Sequence, residues 1–254
     1  MSVFSPSCLA GRRILVTGAS SGIGRATAKL LSECGAQLTL NGRDQERLQV
    51  TLQMLDGEGH ALAPATLADA DGAADWLNSL ATTHGAFDGI FHAAGVALIR
   101  PVRMTRQAHL DEIFGASLMA GFGIARAGAQ KGVMNPESSI VYMSSVAGSR
   151  GESGMTAYSA SKSGIDGMVR SFACELAPRR IRVNSIAAGA VKTEMVTQVA
   201  GQLGTASLGN YESHHLLGFG RATDVAHAAA FLLSPAAVWI TGTTMVVDGG
   251  YMVR

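Results

Sequence analysis

The chain has 254 residues, 47% of them hydrophobic and 15% charged, which suits one large α/β core. Its formal net charge of +1 gives no electrostatic basis for binding nucleic acid or an anionic membrane, and no apolar run reaches the roughly 18 residues of a membrane span. Cys8, Cys34 and Cys174 lack CxxC or zinc-ligand spacing and read as free thiols in a reducing compartment. Met1 to Ala10 has no basic segment followed by an apolar one, so a soluble, cytoplasmic protein is expected.

In chain order, strand candidates fall at residues 13–17, 37–41, 60–65, 89–92, 138–144, 181–186 and 243–247. Helical stretches at 22–34, 44–55, 71–83, 106–129, 157–177 and 223–233 lie between them. Alternating strands and helices imply βαβ crossovers, and continuous apolar strands suit a parallel sheet buried on both faces. The expected fold is a single-domain Rossmann fold of the α/β class over residues 1–254. It would hold a seven-stranded parallel sheet with helices on both faces. Segment 193–220 breaks the rhythm with small, polar and histidine residues, and is expected to be a substrate lid.

Ile14-Leu15-Val16 runs into Thr17-Gly18, and Gly22-Ile23-Gly24 then opens a helix. A strand, a tight turn and a helix N-terminus offer free N–H groups and the positive end of a dipole to a pyrophosphate. Gly18, Ser20, Ser21, Gly22, Ile23 and Gly24 are therefore cofactor-binding candidates. The second strand ends Leu40-Asn41-Gly42-Arg43, with no carboxylate at its tip to accept a ribose hydroxyl. Asn41 and Arg43 fall where the adenosine ribose is read, and a guanidinium suits a 2′-phosphate. Arg25 adds charge nearby. NADP(H) is favoured, while Asp44 weakens the field and leaves NAD(H) open. Further along, Tyr158 and Lys162 are four residues apart, so both project from one helix face. An ammonium beside a phenol favours the phenolate and fits tyrosine for acid–base work. Together these features read as a hydride-transfer enzyme.

The glycine run, the Ser144-Ser145 pair, Tyr158-Ser159-Ala160-Ser161-Lys162 and the closing Val247-Asp248-Gly249-Gly250 resemble the short-chain dehydrogenase/reductase family along essentially the whole chain. The overall pattern is similar to the β-ketoacyl carrier-protein reductases within it. The resemblance implies that Tyr158 exchanges a proton with the carbonyl or alcohol oxygen and that Ser145 orients that oxygen. It implies that Lys162 lowers the tyrosine pKa and holds the nicotinamide ribose. Further cofactor contacts are implied at Thr66 and Leu67, at Ala94 and Gly95, and at Gly189, Val191 and Thr193. The sequence departs from the family pattern at four places. His92-Ala93-Ala94-Gly95 stands where Asn-Asn-Ala-Gly is common, and Ser117 replaces the helix asparagine of the catalytic tetrad. Ala188-Gly189 replaces Pro-Gly, and Thr66 an acidic residue near adenine. Ser117 either keeps a shorter relay through water or ends it; His92 reads as a structural hydrogen-bonding group.

The expected substrate wall is residues 147–155 with the lid. Met155, Met195, Val196, Val199, Leu203, Leu208 and Leu216 would be apolar, and Arg150, Glu152, His214 and His215 polar. The resemblance implies an acyl-thioester or other small carbonyl substrate, and an acyl carrier protein docking near Arg179, Arg180 and Lys131. Two other functions compete: turnover of a free sugar, steroid or cyclic alcohol, and a dinucleotide-binding sensor without turnover. A homotetramer or homodimer is also implied, with Gly121, Gly123, Ala125, Ala129, Ala173 and Ala177 suited to close helix packing, between subunits or within one.

Overall fold

The computed structural model describes residues 4–194 and 211–254. The strands are β1 (Arg13–Thr17), β2 (Gln37–Asn41), β3 (Ala61–Leu62), β4 (Phe87–His92), β5 (Met134–Ser145), β6 (Arg182–Ala188), β7 (Val191–Lys192), β8 (Gly220–Arg221) and β9 (Thr244–Val247). Seven of them form one parallel sheet in the order β3-β2-β1-β4-β5-β6-β9, as the alternating pattern predicts. The helices are α1 (Gly22–Glu33), α2 (Gln45–Leu52), α3 (Ala70–His84), α4 (Gln107–Phe114), α5 (Ala120–Gly128), α6 (Thr156–Leu176) and α7 (Ala222–Leu233).

Both faces of the sheet are covered because its strands carry apolar residues at successive positions. In β1, Ile14 and Val16 join the core under α1 and α7, while Leu15 joins the core under α3, α5 and α6. Strand order reverses beside β1, which has β2 on one side and β4 on the other. Loops leaving the two strands diverge there and open a crevice at the carboxyl ends. Register brings Thr17 opposite both Asn41 and His92, and His92 opposite Tyr142.

Three elements differ from expectation. The third strand is two residues long, because the Asn41 side chain donates to the carbonyls of Ala63 (2.9 Å) and Ala65 (3.2 Å) where a strand ladder would continue. The expected helix 106–129 is interrupted by a π-turn, Gly115–Met119, between α4 and α5. Gly115 allows that turn to lie on the Ala68 carbonyl, which would stand 2.6 Å from a Cβ. A short parallel pair, β7 with β8, was not signalled by periodicity.

The glycines of α5 serve packing within the chain. A Cβ on Gly121 would lie 3.1 Å from the Tyr142 ring, and one on Gly123 would run into the Ala70 carbonyl and stand 2.9 Å from Ala73 Cβ in α3. Arg179 also faces inward. Its guanidinium donates to the carbonyls of Gly128, Ala129, Gln130 and Met134 at 2.6–3.1 Å and so caps the end of α5. Arg180 pairs with Glu137 at 3.1 Å. The basic pair expected to meet a carrier protein is thus occupied. Gly123→Ala is expected to lower stability by about 1–3 kcal/mol in urea unfolding, as the α3–α5 contact is forced apart.

Candidate active site

A cleft of about 700 Å³ runs along the carboxyl ends of the strands, from Arg43 and Arg47 to Glu152, Tyr211 and His214. The expected cofactor residues line it: Gly18, Ser20, Ser21, Gly22, Ile23, Gly24, Asn41, Arg43, Thr66, Leu67, Ala94, Gly95, Gly189, Val191 and Thr193. Ser145, Tyr158 and Lys162 line its inner end, and Ser117 lies behind Gly95.

The glycine loop is built by close approach. Gly18 has φ +66°, and a Cβ there would stand 2.8 Å from Ala94 N. A Cβ on Gly24 would collide with the Gly18 carbonyl, so the turn folds tightly onto the start of α1. Ser21, the residue before α1, makes no side-chain capping bond. The amides of the first turn thus remain available to an anion, and their chemistry fits the pyrophosphate of a dinucleotide.

At the end of the cleft expected to take the adenosine, Asp44 is not among the lining residues. It caps α2 by accepting the Arg47 N–H at 3.0 Å. Arg25 is also engaged, with its Nε donating to Thr51 Oγ1 at 3.0 Å and a terminal nitrogen to the Ser20 carbonyl. It braces the glycine loop, and the arginines lining the cleft among the described residues are Arg43 and Arg47. Arg47 lies 3.7 Å from Glu194, whose carboxylate reaches across toward Gly22. Asn41 spends its amide protons on the strand brace described above.

At the inner end, Ser145 closes β5 and Tyr158 and Lys162 rise from the first turns of α6. The Ser145 hydroxyl accepts the Ala147 N–H at 3.2 Å, donates weakly to the Ala188 carbonyl at 3.5 Å, and stands near enough to the Tyr158 phenol to favour its ionised form. Ser144 instead donates to the Lys162 carbonyl at 3.3 Å, which leaves Ser145 as the serine facing the phenol. Lys162 Nζ donates to Met143 O at 2.9 Å and stands 5.5 Å from the centre of the Tyr158 ring. Burial lowers the ammonium pKa to about 8, opposed by attraction to Asp166. The expected lowering of the tyrosine by Lys162 is not found: burial raises the phenol, and the opposing influence comes from Ser145.

The family model described as Enoyl-(Acyl carrier protein) reductase matches residues 18–252. The chain belongs to the short-chain dehydrogenase/reductase family. It is 32% identical to a 3-oxoacyl-(acyl-carrier-protein) reductase of Rickettsia conorii, over 96% of this chain and 98% of that one. It is 33% identical to carbonyl reductase family member 4 of Danio rerio, over 94% of this chain and 97% of that protein. A crystal structure of a short-chain dehydrogenase/reductase, glucose/ribitol dehydrogenase, from Brucella melitensis superposes with TM-score 0.87 at 29% identity, covering 97% of this chain and 99% of that one. Family membership makes the protein an oxidoreductase of CH–OH and carbonyl groups that uses a nicotinamide dinucleotide.

The substrate side of this short-chain dehydrogenase/reductase differs in part from the expected wall. Met155, Glu152 and His214 line the cleft. Arg150 turns away to donate to the Tyr251 carbonyl at 2.7 Å, its guanidinium 4.3 Å from the Tyr251 ring centre. His215 is buried as a brace, accepting Ala190 N–H at 3.1 Å and bonding the Tyr211 carbonyl. Leu216 packs against Gly250. Met195, Val196, Val199, Leu203 and Leu208, with most of the expected lid, lie outside the described residues. Sequence reasoning missed Arg47, Asp111, Glu112 and Tyr211 as lining residues. For Arg47 a signal existed: it stands in the first turn of α2, which begins just after Arg43.

The lysine shift has a thermodynamic sign. Between pH about 8 and the ordinary lysine range, the folded chain binds fewer protons than the unfolded chain, so this residue's contribution to stability rises with pH. Urea unfolding of wild type and Lys162→Met is expected to show wild type gaining about 2 kcal/mol relative to the variant from about pH 7.5 to about pH 9.5. A pH-independent gap would show an ordinary lysine.

Proposed function

We propose that this protein is an NADPH-dependent reductase of 3-oxoacyl thioesters, with Tyr158 as the proton donor. One observation carries the reading. The Tyr158 phenol meets Ser145 at the inner end of a cleft whose outer end presents Arg43 and Arg47. A bound nicotinamide would supply the hydride. Ser145 would hold the substrate carbonyl oxygen near Tyr158, which would give it a proton as the alkoxide forms. A phenol kept protonated by burial is suited to that direction of reaction, since reduction consumes the acid form. Lys162 would hold the dinucleotide ribose from the helix face it shares with Tyr158. Gly189, Val191 and Thr193 would border the nicotinamide, with Gly95 on the opposite wall. The thioester class is supported by the names of the curated relatives.

NADP(H) over NAD(H) is supported by the two arginines at the adenosine end and by the diversion of Asp44 into a helix cap. A guanidinium pairs with a 2′-phosphate and gains little from a free ribose hydroxyl. Arg43→Ala is expected to raise KM for NADPH about tenfold while changing KM for NADH less than about twofold. Equal effects on both would remove the phosphate-reading role.

The occupied Arg179 supports a second reading, a free hydroxylated carbonyl compound held by Glu152, Tyr211 and His214. Consumption of the reduced dinucleotide with acetoacetyl-CoA, compared with unloaded ketones and sugars, separates the two. Turnover with the thioester is expected, and Tyr158→Phe is expected to reduce kcat at least about a hundredfold while tight NADPH binding by fluorescence persists. Turnover confined to free carbonyl compounds would select the second reading, and an active Tyr158→Phe would reject the assigned acid.

A further inference from the structure

Two of the three cysteines touch each other. Cys8 lies in the turns that precede β1, and Cys34 caps the end of α1. The Leu9 N–H donates to the Cys34 carbonyl at 2.9 Å, so one hydrogen bond joins the two backbones at the cysteines themselves. Gly35, with φ +88°, lets the earlier segment settle on this turn. A Cβ there would stand 3.0 Å from the Pro6 carbonyl oxygen and 3.3 Å from Ala10 Cα. Cys34 belongs to the core under α1 and α7, Cys8 packs against that core, and the two thiols hydrogen-bond each other.

The partners differ in access. Cys34 is fully enclosed, and burial beside Cys8 pushes its thiol up to about 12, so it is a poor first nucleophile. Cys8 is half-buried, and an oxidant arriving from solvent meets it first. The pair also has a defined place in the fold. β1 runs from it toward the glycine loop, and α1 returns from that loop to Cys34, so both thiols sit at the amino edge of the sheet. The cleft lies at the carboxyl edge, and neither cysteine lines it. Cys174 is exposed on α6.

We propose that Cys8 and Cys34 are a reversible oxidation site, whose disulfide closes a ring around β1, the glycine loop and α1. Hydrogen peroxide is the oxidant. The Cys8 thiolate attacks one peroxide oxygen, the O–O bond breaks and hydroxide leaves, giving a sulfenic acid. Cys34 Sγ then attacks Cys8 Sγ, its proton passes to the departing hydroxide, and water leaves. Two S–H bonds are lost, one S–S bond forms, and the peroxide is reduced to two waters. A dithiol reductant reverses the step. The bond constrains the unfolded chain far more than a folded one whose thiols already touch, so it stabilises the dinucleotide-binding unit without reshaping the cleft. The site is a protective latch, independent of which carbonyl compound the enzyme reduces.

The test uses the full chain carrying Cys174→Ser, so that the pair holds the remaining thiols. After treatment with hydrogen peroxide, the intact mass is expected to fall by about 2 Da, and both thiols to vanish from titration in denaturant. A non-reducing tryptic digest is expected to join peptide 1–12 to peptide 30–43, and dithiothreitol to part them. The thermal midpoint of the oxidised form is expected to rise by about 5–10 °C and to return on reduction. The dissociation constant of the tighter-binding of NADPH and NADH, read by nucleotide fluorescence, is expected to stay within about twofold. Adding Cys8→Ser, a change at the half-buried partner that leaves the core cysteine in place, is expected to abolish both the mass loss and the thermal shift. A gain of about 16 or 32 Da without joined peptides overturns the proposal, as does a disulfide between two molecules. An oxidised form whose midpoint is unchanged or lower, or whose dinucleotide binding is lost, overturns the protective role.

Discussion

Lys162 places an ammonium group where only 4% of its surface meets solvent, and the surrounding elements are arranged against that cost. Met143 at the end of β5 offers a carbonyl. Asp166, one turn along α6, offers an attracting charge and is itself held by the Ser185 hydroxyl of β6 at 2.8 Å. Gly95 withdraws a side chain that would stand against the ammonium. The group needs partners from several elements, and only the carboxyl edge of the sheet brings them together. The same burial that weakens the lysine's hold on its proton strengthens that of the tyrosine, so the two residues share one electrostatic environment with opposite results.

Much of this architecture was legible in the sequence. The apolar runs of β1, β4, β5 and β6 need burial on both faces, and this requirement produces the parallel sheet between two helical layers. Tyr158 and Lys162 meet because helical spacing is local. The π-turn was hidden for a related reason. Gly115 to Met119 contains nothing that breaks a helix outright, and the deviation depends on the Ala68 carbonyl, which is distant in sequence. The shortened β3 likewise depends on a side chain from β2, Asn41, taking over ladder carbonyls.

Arginine was the hardest residue type to place from sequence. Arg25 and Arg179 looked like free cations and are consumed by backbone carbonyls. Arg47, which received no notice, stands at the cleft. A guanidinium has five donors and a long stem, and a carbonyl left over at a turn or helix end competes for it with any anion in solution. Sequence shows the charge but not the orphan carbonyl. The contact between His92 and Ser117 has the same character, since two separate deviations become one hydrogen bond only in three dimensions.

The far wall of the cleft stands outside both hydrophobic cores. Val96, Ile99 and Met155 are apolar and line it, yet none belongs to the clusters that hold the sheet and helices together. Glu152, Tyr211 and His214 share that position. Exchanges there alter the shape and polarity offered to a ligand while leaving the packed interior intact, so they draw little on the marginal stability that restricts change elsewhere. New substrate preferences can therefore be reached by single steps along this wall, and the scaffold is mutationally permissive on the surface where diversification is useful.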